Sequence, residues 1–274
     1  MAKRSILITG CSSGIGHCAA TGMKERGWRV LATARKSDDI TRLDSEGFEA
    51  LHLDYTDPES IAACAEAALS RTDGKLFALF NNGAYGQPGA VEDLTTDVLR
   101  AQFEANFFGW HDLTRRLIPA MRKQHAGRIV QCSSILGFIS PPFRGAYNSS
   151  KYALEALSDA MRFELQGTGI MVSLIEPGPI ESRFTEHALT ALQQNIDMAN
   201  SPHSATYEKS LKRLEDGGAQ MFKLGPEAVL QKLIHAVESA YPRTRYYVTV
   251  PTYLAAIGKR VLPQSLNDAL VRRG

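Results

Sequence analysis

The sequence predicts an α/β fold: a single-domain, Rossmann-type doubly wound parallel sheet carrying one long insertion. Three observations lead there. Short runs rich in Val, Ile, Leu and Phe recur along the chain, and each is followed by a stretch of helical, amphipathic spacing. Strands of Val, Ile, Leu and Phe that alternate with amphipathic helices imply a parallel sheet covered on both faces. The first run ends in a Gly/Ser cluster that opens a helix. With 274 residues, 44% hydrophobic and 22% charged, the chain has ample core for one domain spanning 1–274.

Taken in order, SILIT (5–9) is the first strand, and helical spacing follows to Arg26. Strand 29–33, helix 38–46, strand 50–53, helix 58–70 and strand 76–80 repeat the alternation. A long helical stretch, 96–123, precedes strand 128–132. A helix containing YNSSKYALEALSDAMRFEL (147–165), strand 171–175, helix 226–239 and strand 246–250 complete the set. Residues 181–224 lack strand character and are too long for a simple connection, which predicts a lid or a disordered segment. The tail, 252–274, is amphipathic: Leu254, Ile257, Val261 and Leu262 interleave with Lys259 and Arg260. It packs on its own domain or a partner subunit, or else makes a weak peripheral membrane contact.

Composition excludes several classes of function. Thirty-one basic against 29 acidic residues give a net charge of +2, and no basic block follows a phosphate backbone, so nucleic acid is not expected. Cys11, Cys18, Cys64 and Cys132 have no CxxC spacing and the seven histidines form no HExxH, so neither metal nor disulfide is expected. No run is long enough to be a signal h-region or a membrane span, which predicts a cytoplasmic protein.

TGCSSGIG (9–16) lies between the first strand and the first helix. Glycines there permit a tight turn and let backbone N–H groups approach a pyrophosphate at the positive end of the helix, although turns also use glycine for conformation alone. Gly10, Ser12, Ser13, Gly14, Ile15 and Gly16 are the candidate cofactor-binding residues of this loop. At the end of the second strand, where an adenosine ribose would lie, an acidic residue would favour NAD; Arg35 and Lys36 stand there instead, which favours NADP(H). The alternative is a solvated basic turn. Asp54 could accept from the adenine amine or cap the next helix.

Tyr147 and Lys151 stand one helical turn apart. An ammonium within about 6 Å of a phenol lowers its pKa by about 1 to 3, toward the range useful for proton transfer. Ser134 falls at the C-terminal end of a predicted strand, the edge where such sheets bind ligands. Asn106 sits in the apolar stretch FEANFFGW, where a buried amide needs partners.

Together TGCSSGIG, Asn106, Ser134, YNSSK (147–151) and EPGPI (176–180) resemble the short-chain dehydrogenase/reductase family over about residues 5–250. The runs ANFFG, YNSSKYALEALSDAMRFEL and SLIEPGPI are similar to a bacterial branch of NADP-dependent aldehyde reductases, itself similar to the 17β-hydroxysteroid and retinol dehydrogenases. The chain departs from the family's NNAG, reading Asn81, Asn82, Gly83, Ala84. The resemblance implies that Tyr147 exchanges a proton with the carbonyl oxygen and that Lys151 holds the ribose and lowers the phenol pKa. It further implies that Ser134 binds the carbonyl oxygen and Asn106 supports a water relay. Asn81, Gly83, Pro177, Gly178 and Ile180 join the cofactor contacts by the same resemblance.

The expected function is thus NADPH-dependent reduction of an apolar aldehyde or ketone by a homodimer or homotetramer. A hydroxysteroid, retinol or 3-oxoacyl reductase is the alternative, and an NADPH-sensing regulator the non-enzymatic one. Phe138, Ile139, Phe143, Phe184, Leu189, Leu192, Met198, Met221 and Phe222 are the candidate apolar pocket residues.

Overall fold

A computed structural model describes residues 4–215 and 221–273; residues 216–220 of the insertion and Gly274 of the tail lie outside them. Strands β1 (Ser5–Ile8), β2 (Arg29–Ala34), β3 (Glu49–His52), β4 (Ala78–Asn81), β5 (Gly127–Cys132), β6 (Ile170–Glu176) and β7 (Arg245–Tyr247) form one sheet in the order β3-β2-β1-β4-β5-β6-β7. Every pairing is parallel. The chain runs outward from β1 to β3, crosses back to β4 and then runs outward the other way. The loops after β1 and β4 therefore diverge and leave a crevice at the C-terminal sheet edge.

Helices α1 (Gly14–Glu25), α2 (Ser37–Ser45), α3 (Pro58–Arg71), α4 (Thr96–Phe103), α5 (Gly109–Lys123), α6 (Gly145–Glu164), α7 (Phe184–Asn195), α8 (Ser204–Glu215), α9 (Glu227–Glu238), α10 (Val250–Val261) and α11 (Gln264–Arg273) complete the structure. α1 packs against α9 and α3 against α5. The fully buried Ile6, Leu7, Ile8, Leu79, Phe80 and Trp110 belong to one continuous core between these layers, as the largely apolar strands require.

Three expectations change. The helix expected over 96–123 is interrupted by a π-helical turn, Glu104–Phe108, in which Gly109 N–H donates to Glu104 O; the wider turn places Asn106 inward. Residues 181–224 are neither disordered nor without structure among the described residues: they fold largely into α7 and α8. The strand expected over 246–250 ends at Tyr247, because Pro251, which has no N–H to give, fits the first turn of α10.

The tail buries Thr252, Ala256 and Gly258 of α10 but leaves Leu254, Ile257, Val261, Leu266 and Leu270 exposed. Among the described residues, no helix is long and apolar enough to cross a membrane.

Candidate active site

The crevice begins at a backbone contact. Gly10 has φ +69°, and a Cβ there would come within 2.5 Å of Gly83 Cα, so the loops after β1 and β4 touch only because both residues lack side chains. A Cβ on Gly16 would meet Gly10 O at 2.1 Å. Thr9 Oγ1 ties the two loops by accepting from Asn82 N–H at 2.8 Å and Gly83 N–H at 3.1 Å.

Ser13 precedes α1 without a side-chain cap bond, and no acidic residue sits in the first turn. The first N–H groups of α1 thus stay available to an anion. This cradle fits a pyrophosphate. On its flank Arg35 and Lys36 are exposed beyond β2, and Arg42 Nη2 donates to Ser12 O at 2.7 Å. Ser182 closes the other side: a Cβ on Gly14 would lie 3.0 Å from Ser182 Cβ.

α6 carries the next group. Tyr147 is 9% exposed and Lys151 1%. Lys151 Nζ donates to Cys132 O at 2.8 Å and stands 4.1 Å from the Trp110 ring centroid and 5.7 Å from that of Tyr147. Burial lowers the Lys151 pKa to about 8, against the raising influence of Cys132 and Glu155. Burial also raises Tyr147 well above the ordinary phenol, with the Cys132 thiol adding to the rise and Ser134 and Arg144 pulling it back. Among the protein's own groups, desolvation of the phenol thus outweighs the lowering influence of Ser134 and Arg144.

Ser134 follows β5, and its Oγ accepts from Leu136 N–H at 3.1 Å in a short 3-10 turn, Ile135–Gly137. Ile135 N–H donates to Pro177 O at 2.8 Å, bringing the Ser134 turn beside the Pro177–Ile180 segment. Gly178 is enforced there, since a Cβ would meet Thr249 Oγ1 at 2.1 Å. Ile180 is half-buried against the core.

Three expected site residues have hydrogen-bond partners within the protein. Asn81 is fully buried; its Oδ1 accepts from Tyr55 O–H at 2.8 Å and its Nδ2 donates to Thr114 Oγ1 and Gln131 Oε1, each at 2.9 Å. That network draws the Asn81 amide under the sheet end and away from the crevice. Asn106 is also fully buried; its Nδ2 donates to Tyr85 O at 2.8 Å and its Oδ1 accepts from Tyr85 N–H at 3.2 Å. Asp54 does not cap α3, because Asp57 does; Asp54 Oδ1 accepts from Thr56 N–H and Oγ1 at 2.9 and 2.8 Å.

The apolar candidates divide. Phe184 packs edge-on to Tyr147, ring centroids 5.3 Å apart, and the absent side chain of Gly86 makes room for it. Leu192, Met198 and Phe143 instead pack with Ala90, Ile196 and Tyr207 in a second core. Phe138 packs edge-on to Tyr247, Ile139 and Leu189 are half-buried, and Met221 and Phe222 are exposed.

Sequence reading missed Thr9, Arg42, Trp110 and Ser182. Only Trp110 left a signal: it lies one turn beyond Asn106 in an otherwise site-bearing helix, and its Nε1 donates to Gly83 O at 2.8 Å.

Residues 4–193 match the family described as short chain dehydrogenase. The chain is 45% identical over 271 residues to the uncharacterized oxidoreductase YbbO of Escherichia coli K12, covering 98% of this chain and 94% of that one. It is 35% identical to a 3-ketodihydrosphingosine reductase of Bacteroides thetaiotaomicron, with 99% and 98% covered. A short-chain dehydrogenase structure from Streptomyces avermitilis superposes with a TM-score of 0.80 at 28% identity, covering 98% and 95%. By fold, by crevice and by relationship over almost its whole length, this chain belongs to the short-chain dehydrogenase/reductase family of oxidoreductases.

Proposed function

We propose that the chain is an NADP(H)-dependent carbonyl reductase acting on apolar aldehydes or ketones. The observation that carries this reading is the buried Tyr147–Lys151 pair on one face of α6, with Phe184 set edge-on against the phenol. The bound dinucleotide would supply the hydride. Tyr147 would give its proton to the carbonyl oxygen, and Ser134 would donate to the same oxygen and stabilise the charge that develops there. Lys151, fixed by Cys132 O, would hold the ribose hydroxyls. Asn106, through its two hydrogen bonds to the Tyr85 main chain, would hold the segment after β4 in place. Arg35 and Lys36 would pair with a 2′-phosphate.

A burial-raised phenol is a poor acid unless cationic charge is brought beside it, and a bound dinucleotide would supply that charge only as its nicotinamide becomes oxidised, so Tyr147 would give up its proton together with hydride transfer rather than before it. Residues 181–224 would serve as the lid. A long-chain ketone is favoured as a second substrate class by the 35% identity to a 3-ketodihydrosphingosine reductase. Exposed Phe108 and Phe163 lie on helices that would meet a second copy.

The test is a panel of apolar carbonyls with NADPH or NADH, run beside Tyr147→Phe. NADPH oxidation that falls by at least about 10²-fold in the variant, with dinucleotide affinity retained, supports the reading. Equal turnover in the variant overturns it.

A further inference from the structure

Two helical turns beyond Tyr147 lies a buried acidic cluster that the reaction above does not use. Glu155 and Asp159 continue the Tyr147–Lys151 face of α6, and Glu176 ends β6 immediately before Pro177. Arg245 of β7 serves all three: its Nη2 lies 3.1 Å from Glu155 Oε2 and 2.7 Å from Asp159 Oδ2, and its Nε lies 3.1 Å from Glu176 Oε1. Glu176 is fully buried and Glu155 nearly so.

Counting charged oxygens exposes a deficit. Glu155 Oε1, both Glu176 oxygens and Ser133 Oγ are buried without a well-formed hydrogen bond, although the two carboxyl groups meet at the one guanidinium of Arg245. Two buried carboxylates so placed repel, and beyond the one guanidinium of Arg245 they have no donor for Glu155 Oε1 or Glu176 Oε2; one proton between them supplies a donor and removes one charge. Ser133 adjoins them, since a Cβ on Gly137 would meet Ser133 Oγ at 2.7 Å and Glu155 Oε1 at 3.2 Å. Ser133 N–H donates to Ile175 O at 2.7 Å and Ile135 N–H to Pro177 O at 2.8 Å. Glu176 therefore sits between the two main-chain bonds that hold the Ser134 turn.

We propose that Glu155 and Glu176 share one proton at neutral pH and, with Arg245, form a positioning clamp joining the Ser134 turn, the Tyr147–Lys151 face of α6 and the Pro177 turn. The charged and titratable neighbours on every element packed around the pair agree with this. On α6 these are Lys151, Asp159 and Arg162, and Arg162 is drawn to Asp159 at 3.5 Å. On β7 there is Arg245, beside the turn after β5 the Cys132 thiol, and on α10 Arg260, whose field reaches Glu176. Burial and Glu155 push the Glu176 carboxyl up to about 9, and burial raises Glu155 too. The catalytic consequence rests on the reading of Tyr147 and Lys151 above; the shared proton does not.

The sign follows from linkage. A carboxyl whose pKa is raised in the folded state keeps a proton that the unfolded chain releases between its ordinary value and about 9, so stability falls with rising pH across that window. Melting of the whole chain between pH 5 and 9 should lose this dependence, about one proton's worth, in Glu176→Gln and to the same extent in Glu155→Gln, with nothing added in the double variant. In the carbonyl assay Glu176→Ala should lower kcat about tenfold, and Glu176→Gln, which keeps a donor, should restore most of it. Melting curves of both Gln variants parallel to the parent, or a Gln variant no more active than Ala, would overturn the proposal. If the parent turns over no carbonyl, the function reading fails and the melting curves still decide the pair.

Discussion

Lys151 is capped by Trp110: the ammonium stands 4.1 Å from the indole centroid and donates to Cys132 O at 2.8 Å. A ring face favours the charged form, while burial opposes it. Because the ammonium is lost as pH rises through about 8, reductive kcat/KM should decline above that pH. Trp110→Phe offers a weaker face and should move the decline to lower pH, read from pH–rate profiles of the two proteins.

Arg35 and Arg42 should separate coenzyme choice from loop shape. Arg35→Asp is expected to weaken NADPH by about 10- to 100-fold and to leave NADH nearly unchanged, the cost of one charge-assisted pair. Arg42→Ala frees Ser12 O and should weaken both coenzymes alike. Fluorescence titrations with each coenzyme decide; a parent that prefers NADH would defeat the first expectation.

Phe184 and Met198 should behave differently although both belong to the insertion. Each methylene buried against Phe184 contributes about 0.8 kcal/mol, so kcat/KM should rise about fourfold per carbon along an aldehyde series and flatten in Phe184→Ala. Met198 packs in the second core rather than at the phenol. Met198→Ala should lower the melting temperature and leave the slope of the series intact.

Asp93 latches the insertion: Oδ2 accepts from Tyr207 O–H at 2.6 Å and Ser201 O–H at 2.7 Å, and Tyr207 Oη accepts from Ala90 N–H at 2.8 Å. These bonds to Tyr207 and Ser201 hold the Asp93 carboxyl below its ordinary pKa. A depressed carboxyl stabilises above the ordinary value, about 3.9, and that contribution is lost as pH falls through the lowered one. Asp93→Ala should therefore expose Lys209 and Lys212 to trypsin faster than in the parent at pH 8. Unchanged cleavage rates would remove the latch from the account.

The sheet was legible because β1, β2, β4, β5 and β6 are short runs dominated by apolar residues, and a parallel sheet buried on both faces favours that pattern. The glycine loop, Ser134, Tyr147 and Lys151 were legible because loop position and one-turn spacing are local properties. What stayed hidden depends on contacts distant in sequence. Nothing near Asn81 announces that Thr114 and Gln131 claim its amide, and nothing near Tyr147 announces how completely it is desolvated. The helices of the insertion were missed because their apolar positions face a small second core made with Ala90, which propensity alone does not reveal.

The π-helical turn at Glu104–Phe108 acts as a phase setting between two halves of what would otherwise be one rod. An α-helix advances about 100° per residue, so the same residues wound evenly, without the wider turn, would swing α4 about the axis of α5 by about that angle. Asn106 could then stay with Tyr85, or Trp110 could stay over Lys151, but not both. The wider turn absorbs one residue without turning the flanking helices, and an even winding through it would break the alignment of two side chains without changing either of them.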